Sequence, residues 1–347
     1  EDICFLTSIL EDKDIGKILR NFKKVSDSII YTSLTDFHRG LSAKELFDNV
    51  YTISDDLDED KAKHYAEMFR DANLPSVTIQ GFPLTYYRLV KSIRKTIPDL
   101  PIYVIWHGNF FHFPEDFAWE SFKLVRMLYQ EGDIAKVGFV KKGMAEIISK
   151  SGIRSEFILN FKRQIPISPS EINQDRVHIG IWAEPDWNWK KLPYAMLASL
   201  SLIPGCKGYV NNVGTRVQEI GRDLKIDADY QIDALPHAEV LLRMSKMHLN
   251  MNVSLTECAP MLPLESLSLG SPCLLGPTSH YFEDNDYLHG RLVVPYPDNP
   301  LVIGRYAQQA IAERDEIIKA YQEYAPGYNR RALEILGEFL EFPLVER

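Results

Sequence analysis

The chain has 347 residues and a formal net charge of −9, with 45% hydrophobic and 25% charged residues. That balance is close to the globular average and excludes extensive disorder, and the length favours two domains. The acidic excess argues against nucleic acid as the main partner, because phosphate neutralisation needs a basic surface, but it leaves room for a local basic groove around a small phosphate ligand.

Glu1 in place of a start methionine reads as a processed or trimmed chain. The four cysteines, Cys4, Cys206, Cys258 and Cys273, form no C-x-x-C and fit reduced, buried thiols. No apolar run approaches the ~20 residues that span a bilayer, and Ile3–Ile9 lacks the basic flank of a secretory signal. The expectation is a soluble, cytoplasmic protein.

Short apolar runs alternate with helix-period segments, the pattern of βαβ units and parallel sheets. In the first half the expected strands are Ile3–Thr7, Ser28–Thr32, Val50–Ile53, Val77–Gln80, Ile102–Trp106, Lys136–Val140 and Glu156–Leu159. Helices are expected at Asp60–Ala72, Thr85–Thr96, Phe117–Gln130 and Gly143–Ser149. The Pro- and Ser-rich stretch Gln164–Asp175 reads as an interdomain linker. A second alternation follows, with strands at Val177–Trp182, Gly208–Asn211, Leu249–Val253, Cys273–Leu275 and Leu292–Val294. Its helices are expected at Lys190–Ser201, Arg216–Leu224, His237–Met244, Met261–Leu269, Pro300–Glu323 and Asn329–Phe339. The fold class is therefore α/β, with two Rossmann-like halves facing a cleft and ligands beyond the carboxyl ends of the strands.

The most informative segment runs from Thr256 to Cys273. Glu257 stands in the loop after an apolar strand. Glu265 lies eight residues later on the following helix, and Gly270-Ser271-Pro272 leads into the next strand. Free N–H groups at such a helix start can bind sugar hydroxyls or phosphate oxygens, and the two carboxylates can accept bonds from hydroxyls. The spacing by itself is weak, since Glu59/Glu67 and Glu338/Glu346 share it. The context of strand, loop, Glu, Pro, helix, Glu, Gly-x-Pro and strand carries the signal.

This segment resembles the E-x7-E signature of retaining GT-B glycosyltransferases of the group 1 (GT4-type) family. Cys258 and Ala259 replace the usual Gly-x pair, and Ser266 replaces Ala. The resemblance implies a GT-B fold with an acceptor-side domain over 1–165, a nucleotide-sugar donor domain over 176–325 and a C-terminal helix over 326–347 packing back on the first domain. It implies that Glu257 contacts donor-sugar hydroxyls and Glu265 the nucleotide ribose, while backbone amides around Ala259, Pro260, Met261 and Leu262 hold the diphosphate or sugar. Ile232, Leu235 and His237 would lie near the base. A Lys position of the family, which neutralises the diphosphate, falls near Lys190 and Lys191; the accompanying Arg is missing after Trp182, with Arg216 or Arg243 as substitutes. His107, directly after the strand Ile102–Trp106, matches a histidine that the family carries beside the transferred sugar. The phosphate-side loop Ile9–Gly16 holds only one glycine, Gly16, where the family is Gly-rich.

Asn109, Phe110 and His112 follow His107 and form a weaker acceptor candidate, with Trp106, Phe111, Phe113 and Trp119 as an aromatic wall that core packing explains equally well. The implied donor is a nucleotide-diphosphate sugar, UDP-linked before GDP-linked, and the implied acceptor a saccharide or lipid-linked hydroxyl, with no cofactor and no metal. An epimerase or phosphorylase on the same fold, or a non-catalytic nucleotide-sugar-binding module, are the alternatives. A metal-dependent GT-A reading rests on the Asp-rich run Ser54–Asp60, whose acids also suit a helix N-terminus. Arg88, Lys91 and Lys95 form a basic helix face, solvated by default, that leaves peripheral membrane contact open.

Overall fold

The computed structural model describes residues 29–33, 45–46, 50–53, 56–162, 175–182, 189–211, 214–233 and 235–341. The strand expected at Ile3–Thr7, the Ile9–Gly16 loop, Cys4, Ser54, Asp55 and nearly all of the Pro-rich linker lie outside them. The chain divides into two compact units, one running to residue 160 and resuming at 332, the other spanning 161–331.

The first unit carries β1 (Ile29–Ser33), β2 (Val50–Ile53), α1 (Glu59–Ala72), β3 (Val77–Gln80), α2 (Tyr86–Thr96), β4 (Ile102–Trp106), a 3-10 turn (Phe110–His112), α3 (Asp116–Gln130), β5 (Lys136–Phe139), α4 (Met144–Ser149) and β6 (Ser155–Phe157). Its six strands pair in the order β2-β1-β3-β4-β5-β6, all parallel. Every residue of β3, β4 and β5 is buried, as expected for parallel strands covered on both faces. Leu89, Val90 and Ile93 of α2 and Phe122, Val125 and Leu128 of α3 close over them.

The second unit carries β7 (His178–Trp182), a 3-10 turn (Trp189–Lys191), α5 (Pro193–Ser199), a second turn (Leu200–Leu202), β8 (Lys207–Asn211), α6 (Thr215–Asp223), β9 (Ala228–Gln231), α7 (His237–Met244), β10 (Leu249–Asn252), α8 (Met261–Ser268), β11 (Cys273–Leu275), α9 (Asp286–Leu292), α10 (Pro300–Ala312) and α11 (Arg314–Leu340), the last crossing into the first unit at residue 332. The sheet order is β11-β10-β7-β8-β9, again parallel throughout. Cys206, Cys258 and Cys273 are buried thiols outside any disulfide. No helix among the described residues is long and apolar enough to cross a membrane.

Four elements differ from the sequence reading. The Lys190–Ser201 helix is broken at Leu192, which adopts a left-handed φ of 48° before Pro193, because proline disfavours α geometry in the residue that precedes it. Lys190 and Lys191 therefore sit in a 3-10 turn and do not open the α-helix. Leu292–Val294 is no strand: Asn285 caps α9 by accepting from the Leu288 N–H at 3.0 Å, and only Val293 makes an isolated bridge, to Leu275. The short strand β9 is an addition. Finally, Pro326 does not divide the C-terminal helix; the break falls at Glu313, whose carboxylate accepts from Arg291 at 2.6 Å and Tyr287 at 3.1 Å. Packing of Tyr321 and Tyr324 on Phe282 and of Tyr328 on Tyr281 offsets the roughly 3 kcal/mol cost of an internal proline. At its far end, within the first unit, Phe339 packs 5.5 Å from Tyr103, whose hydroxyl donates to the Leu340 carbonyl at 3.1 Å.

Candidate functional sites of the two units

Strand order locates the ligand end of each sheet. In the second unit the chain runs from β7 outward through β8 and β9, then returns to place β10 on the other side of β7. The crevice of a doubly wound sheet opens at that reversal, here between the carboxyl ends of β7 and β10. The loop that leaves β10 carries Glu257.

That loop is held from three sides. The Leu255 N–H donates to the Lys190 carbonyl at 2.7 Å, and the Glu257 N–H donates to Thr278 Oγ1 at 2.9 Å. Lys191 Nζ donates to Glu257 Oε1, with the two side chains only 16% and 15% exposed. Gly276, after β11, packs directly on the loop, since a Cβ there would lie 1.9 Å from the Ser254 carbonyl oxygen. Cys258 and Ala259 are buried behind Glu257.

Helix α8 begins after Pro260, which provides no capping side chain. Pro263 has no amide hydrogen, so the first turn offers the amides of Met261 and Leu262. Glu265, 4% exposed, accepts from or shares a proton with His237 Nε2 at 2.9 Å. Its neighbour Ser266 bonds Asn250 of β10 at 2.8 Å, which ties the helix to the strand. Leu235 and Leu262 pack on the cluster of Trp182, Tyr209, Met244 and Met247, whereas Ile232 is 58% exposed. Arg243 is engaged by Tyr209 and Glu239, each at 2.6 Å, and Arg216 is exposed. The structure thus joins Lys191 to Glu257 and His237 to Glu265.

Tyr281 was not anticipated. It is fully buried, and its hydroxyl has no hydrogen-bond partner among the described residues. Burial pushes its pKa well up, with the charges of Tyr321, Glu257 and Glu265 adding to the effect.

In the first unit the described strands reverse between β1 and β3. Gln80 ends β3, and His107 follows the adjacent strand β4. His107 Nε2 lies 2.5 Å from Gln80 Oε1. Gly108 lets the chain fold over Trp106, because a Cβ there would lie 2.0 Å from the indole ring. Trp106 itself is buried and donates to Ser121 at 3.2 Å. Asn109 caps the next turn through Phe111 N–H at 2.8 Å, while His112 Nδ1 accepts from Asn109 N–H at 3.1 Å. These bonds give Asn109 and His112 local architectural roles. Phe110, Phe111 and Trp119 are 45%, 42% and 42% exposed. Gln80 is the residue the sequence reading missed; its signal is a polar side chain closing an otherwise apolar strand.

The competing features are also placed. Asp58 caps α1 by accepting from Lys61 N–H at 2.8 Å, with Glu59 and Asp60 in the first turn, and no cluster of three or more metal-ligating His, Cys, Asp or Glu occurs among the described residues. On the basic face of α2, Lys91 binds Glu131 and Asp133 at 2.5 and 2.6 Å, and Arg88 donates to the Leu57 carbonyl at 2.9 Å. Lys95 remains exposed.

Two parallel doubly wound units in one chain define the GT-B fold, and solved structures agree. The chain is similar to the HepE protein of Anabaena in complex with UDP and glucose, with 12% identity, a TM-score of 0.66 and coverage of 96% of this chain and 97% of that one. It is similar to a sucrose-phosphate synthase from Thermosynechococcus elongatus, with 9% identity, a TM-score of 0.58 and coverage of 90% and 100%. It is similar to an α,α-trehalose-phosphate synthase (UDP-forming) from Burkholderia vietnamiensis, with 9% identity, a TM-score of 0.55 and coverage of 91% and 100%. No family model and no curated protein matches the chain in sequence.

Proposed function

We propose that the protein is a glycosyltransferase that moves a sugar from a nucleotide-diphosphate sugar, UDP-linked by preference, to an acceptor hydroxyl with retention of anomeric configuration. The observation that carries this reading is the paired arrangement on the β10 exit, Lys191 with Glu257 and His237 with Glu265. A leaving diphosphate gains negative charge in the transition state and needs a fixed cation and amide donors. Lys191, with Lys190 beside it, and the amides of Met261 and Leu262 are suited to that role. Glu265 is suited to a ribose diol and Glu257 to donor-sugar hydroxyls. His107, at the carboxyl end of β4 in the first unit, is suited to a sugar hydroxyl. The acceptor is a saccharide or lipid-linked hydroxyl. Retention proceeds by front-face attack, in which the leaving phosphate oxygen takes the acceptor proton while the new C–O bond forms.

The UDP and glucose bound by the HepE protein and the UDP-forming reaction named for the trehalose-phosphate synthase support the donor class. Calorimetry with UDP-, GDP- and ADP-sugars, with and without EDTA, tests it: UDP-sugars are expected to bind equally well in both conditions. Failure of every nucleotide sugar to bind overturns the reading. In the same assay Glu265→Ala is expected to weaken UDP by about tenfold or more, the usual cost of losing a hydrogen bond to a charged group. Turnover without an acceptor would favour an epimerase, and a need for free phosphate would favour a phosphorylase.

A further inference from the structure

We infer that His237 is a positioning residue for Glu265, and that the pair makes nucleotide binding depend on the ribose diol. The inference rests on the ribose role proposed for Glu265 and goes beyond it. It names the group that sets this carboxylate, and it assigns His237, expected beside the base, to the ribose end instead.

Glu265 is 4% exposed. A carboxylate in such a place is costly unless its oxygens are met by donors. It can accept about four hydrogen bonds. Among the described residues its side chain makes one, to His237 Nε2 at 2.9 Å. A position needed only for packing would carry an apolar residue, as the buried Leu264 and Leu267 beside it do. The remaining acceptor capacity calls for O–H or N–H donors from a ligand. A vicinal diol supplies two O–H donors side by side, which suits a carboxylate. A phosphate supplies acceptors and negative charge, and is repelled.

The frame around the pair holds the contact in place. Asn250 of β10 donates through Nδ2 to the Met244 carbonyl at the end of α7 at 3.1 Å and to Ser266 Oγ, next to Glu265 on α8, at 2.8 Å. Trp182 of β7 donates to Asn250 Oδ1 at 2.6 Å. One buried side chain thus ties both helices to the two strands that border the crevice. Val240 and Leu241 of α7 pack on the same apolar cluster as Leu262 of α8. His237 is the first residue of α7, so the frame that fixes α7 against α8 also fixes the ring against the carboxylate. Glutamate is rich in rotamers and loses that freedom when it binds a ligand. A carboxylate already held by a ring has lost it beforehand, which is what preorganisation means for affinity.

Calorimetry with UDP, 2′-deoxy-UDP and 3′-deoxy-UDP on the full chain tests the inference. The parent is expected to bind UDP about tenfold or more tighter than either deoxy analogue, the usual effect of losing a hydrogen bond to a charged group. His237→Phe keeps a ring and removes its nitrogens. It is expected to bring the preference below about threefold while affinity for the deoxy analogues stays within about threefold of the parent. His237→Asn, whose amide stops short of the Nε2 position, is expected to lose the preference in the same way. His237→Gln places an amide N–H near that position and is expected to restore most of it. In a Glu265→Ala background, His237→Phe is expected to add no further loss, because the two residues act as a unit. A parent that binds all three ligands equally overturns the inference without any variant. Retention of the full preference in His237→Phe and His237→Asn, or equal weakening of all three ligands, also overturns it, since that is the pattern of a structural role alone. Failure of the parent to bind UDP at all rejects instead the donor class proposed above, so the two failures are separable.

Discussion

Lys191 and Glu257, 66 residues apart in sequence, form a largely buried ion pair at the exit of β10. The cation proposed for the diphosphate is thus matched, before any ligand arrives, by the carboxylate proposed for the sugar. A diphosphate bound at Lys191 would compete with that carboxylate for the ammonium, and a released carboxylate could turn to sugar hydroxyls. Lys191→Ala is expected to weaken UDP binding by about tenfold, or about 1.4 kcal/mol. Glu257→Gln is expected to strengthen UDP binding while lowering turnover of the UDP-sugar. Calorimetry with UDP alone separates the two effects, and equal weakening in both variants rejects the competition.

Tyr281 gives a prediction of opposite sign for stability. Its buried hydroxyl has no partner among the described residues, and an unmet buried polar group costs about 1–3 kcal/mol. Tyr281→Phe removes that group and keeps the ring contacts with His280, Phe282 and Tyr328. The variant is expected to be as stable as the parent or more stable by about 1 kcal/mol in urea denaturation. A loss of more than that would place an unseen partner on the hydroxyl.

His248 makes the second unit sensitive to acid. Burial lowers its pKa below the ordinary value, and the neighbouring His178 and Arg314 charges lower it further. The unfolded chain therefore binds the proton more readily than the folded one. This group leaves stability untouched above about pH 6.5 and reduces it as pH falls below that value. Its Nδ1 accepts the His178 backbone N–H at 3.0 Å, and an asparagine oxygen can take the same bond. His248→Asn is accordingly expected to show a smaller drop in Tm between pH 8 and pH 5.5 than the parent. Identical drops would remove His248 from the acid response.

Much of this architecture is written in local pattern. Val77–Gln80 and Ile102–Trp106 are readable as strands because burial on both faces demands continuous apolar runs. Glu257 and Glu265 are readable because a loop, a proline and a helix follow an apolar strand. What escaped reading depends on contacts far apart in sequence. Ala228–Gln231 is a polar edge strand with no fully buried residue. Asp286–Leu292 is a seven-residue helix containing Gly290, and its last residues look like a strand until the Asn285 cap is known. The persistence of the last helix through Pro326 depends on a tyrosine cluster assembled by Phe282 and Tyr281. Gln80 gains its meaning only when β3 and β4 are side by side.

The contact between Gly276 and the Ser254 carbonyl has a consequence for engineering. With no room for a single carbon between them, the chain leaving β10 and the chain leaving β11 share one footing. A side chain at position 276 would push the Glu257 loop off the sheet beneath it. Under the proposed function, a change of sugar preference should therefore be sought by recutting side chains around this loop. Lengthening or loosening the loop would spoil that footing before it widened the choice.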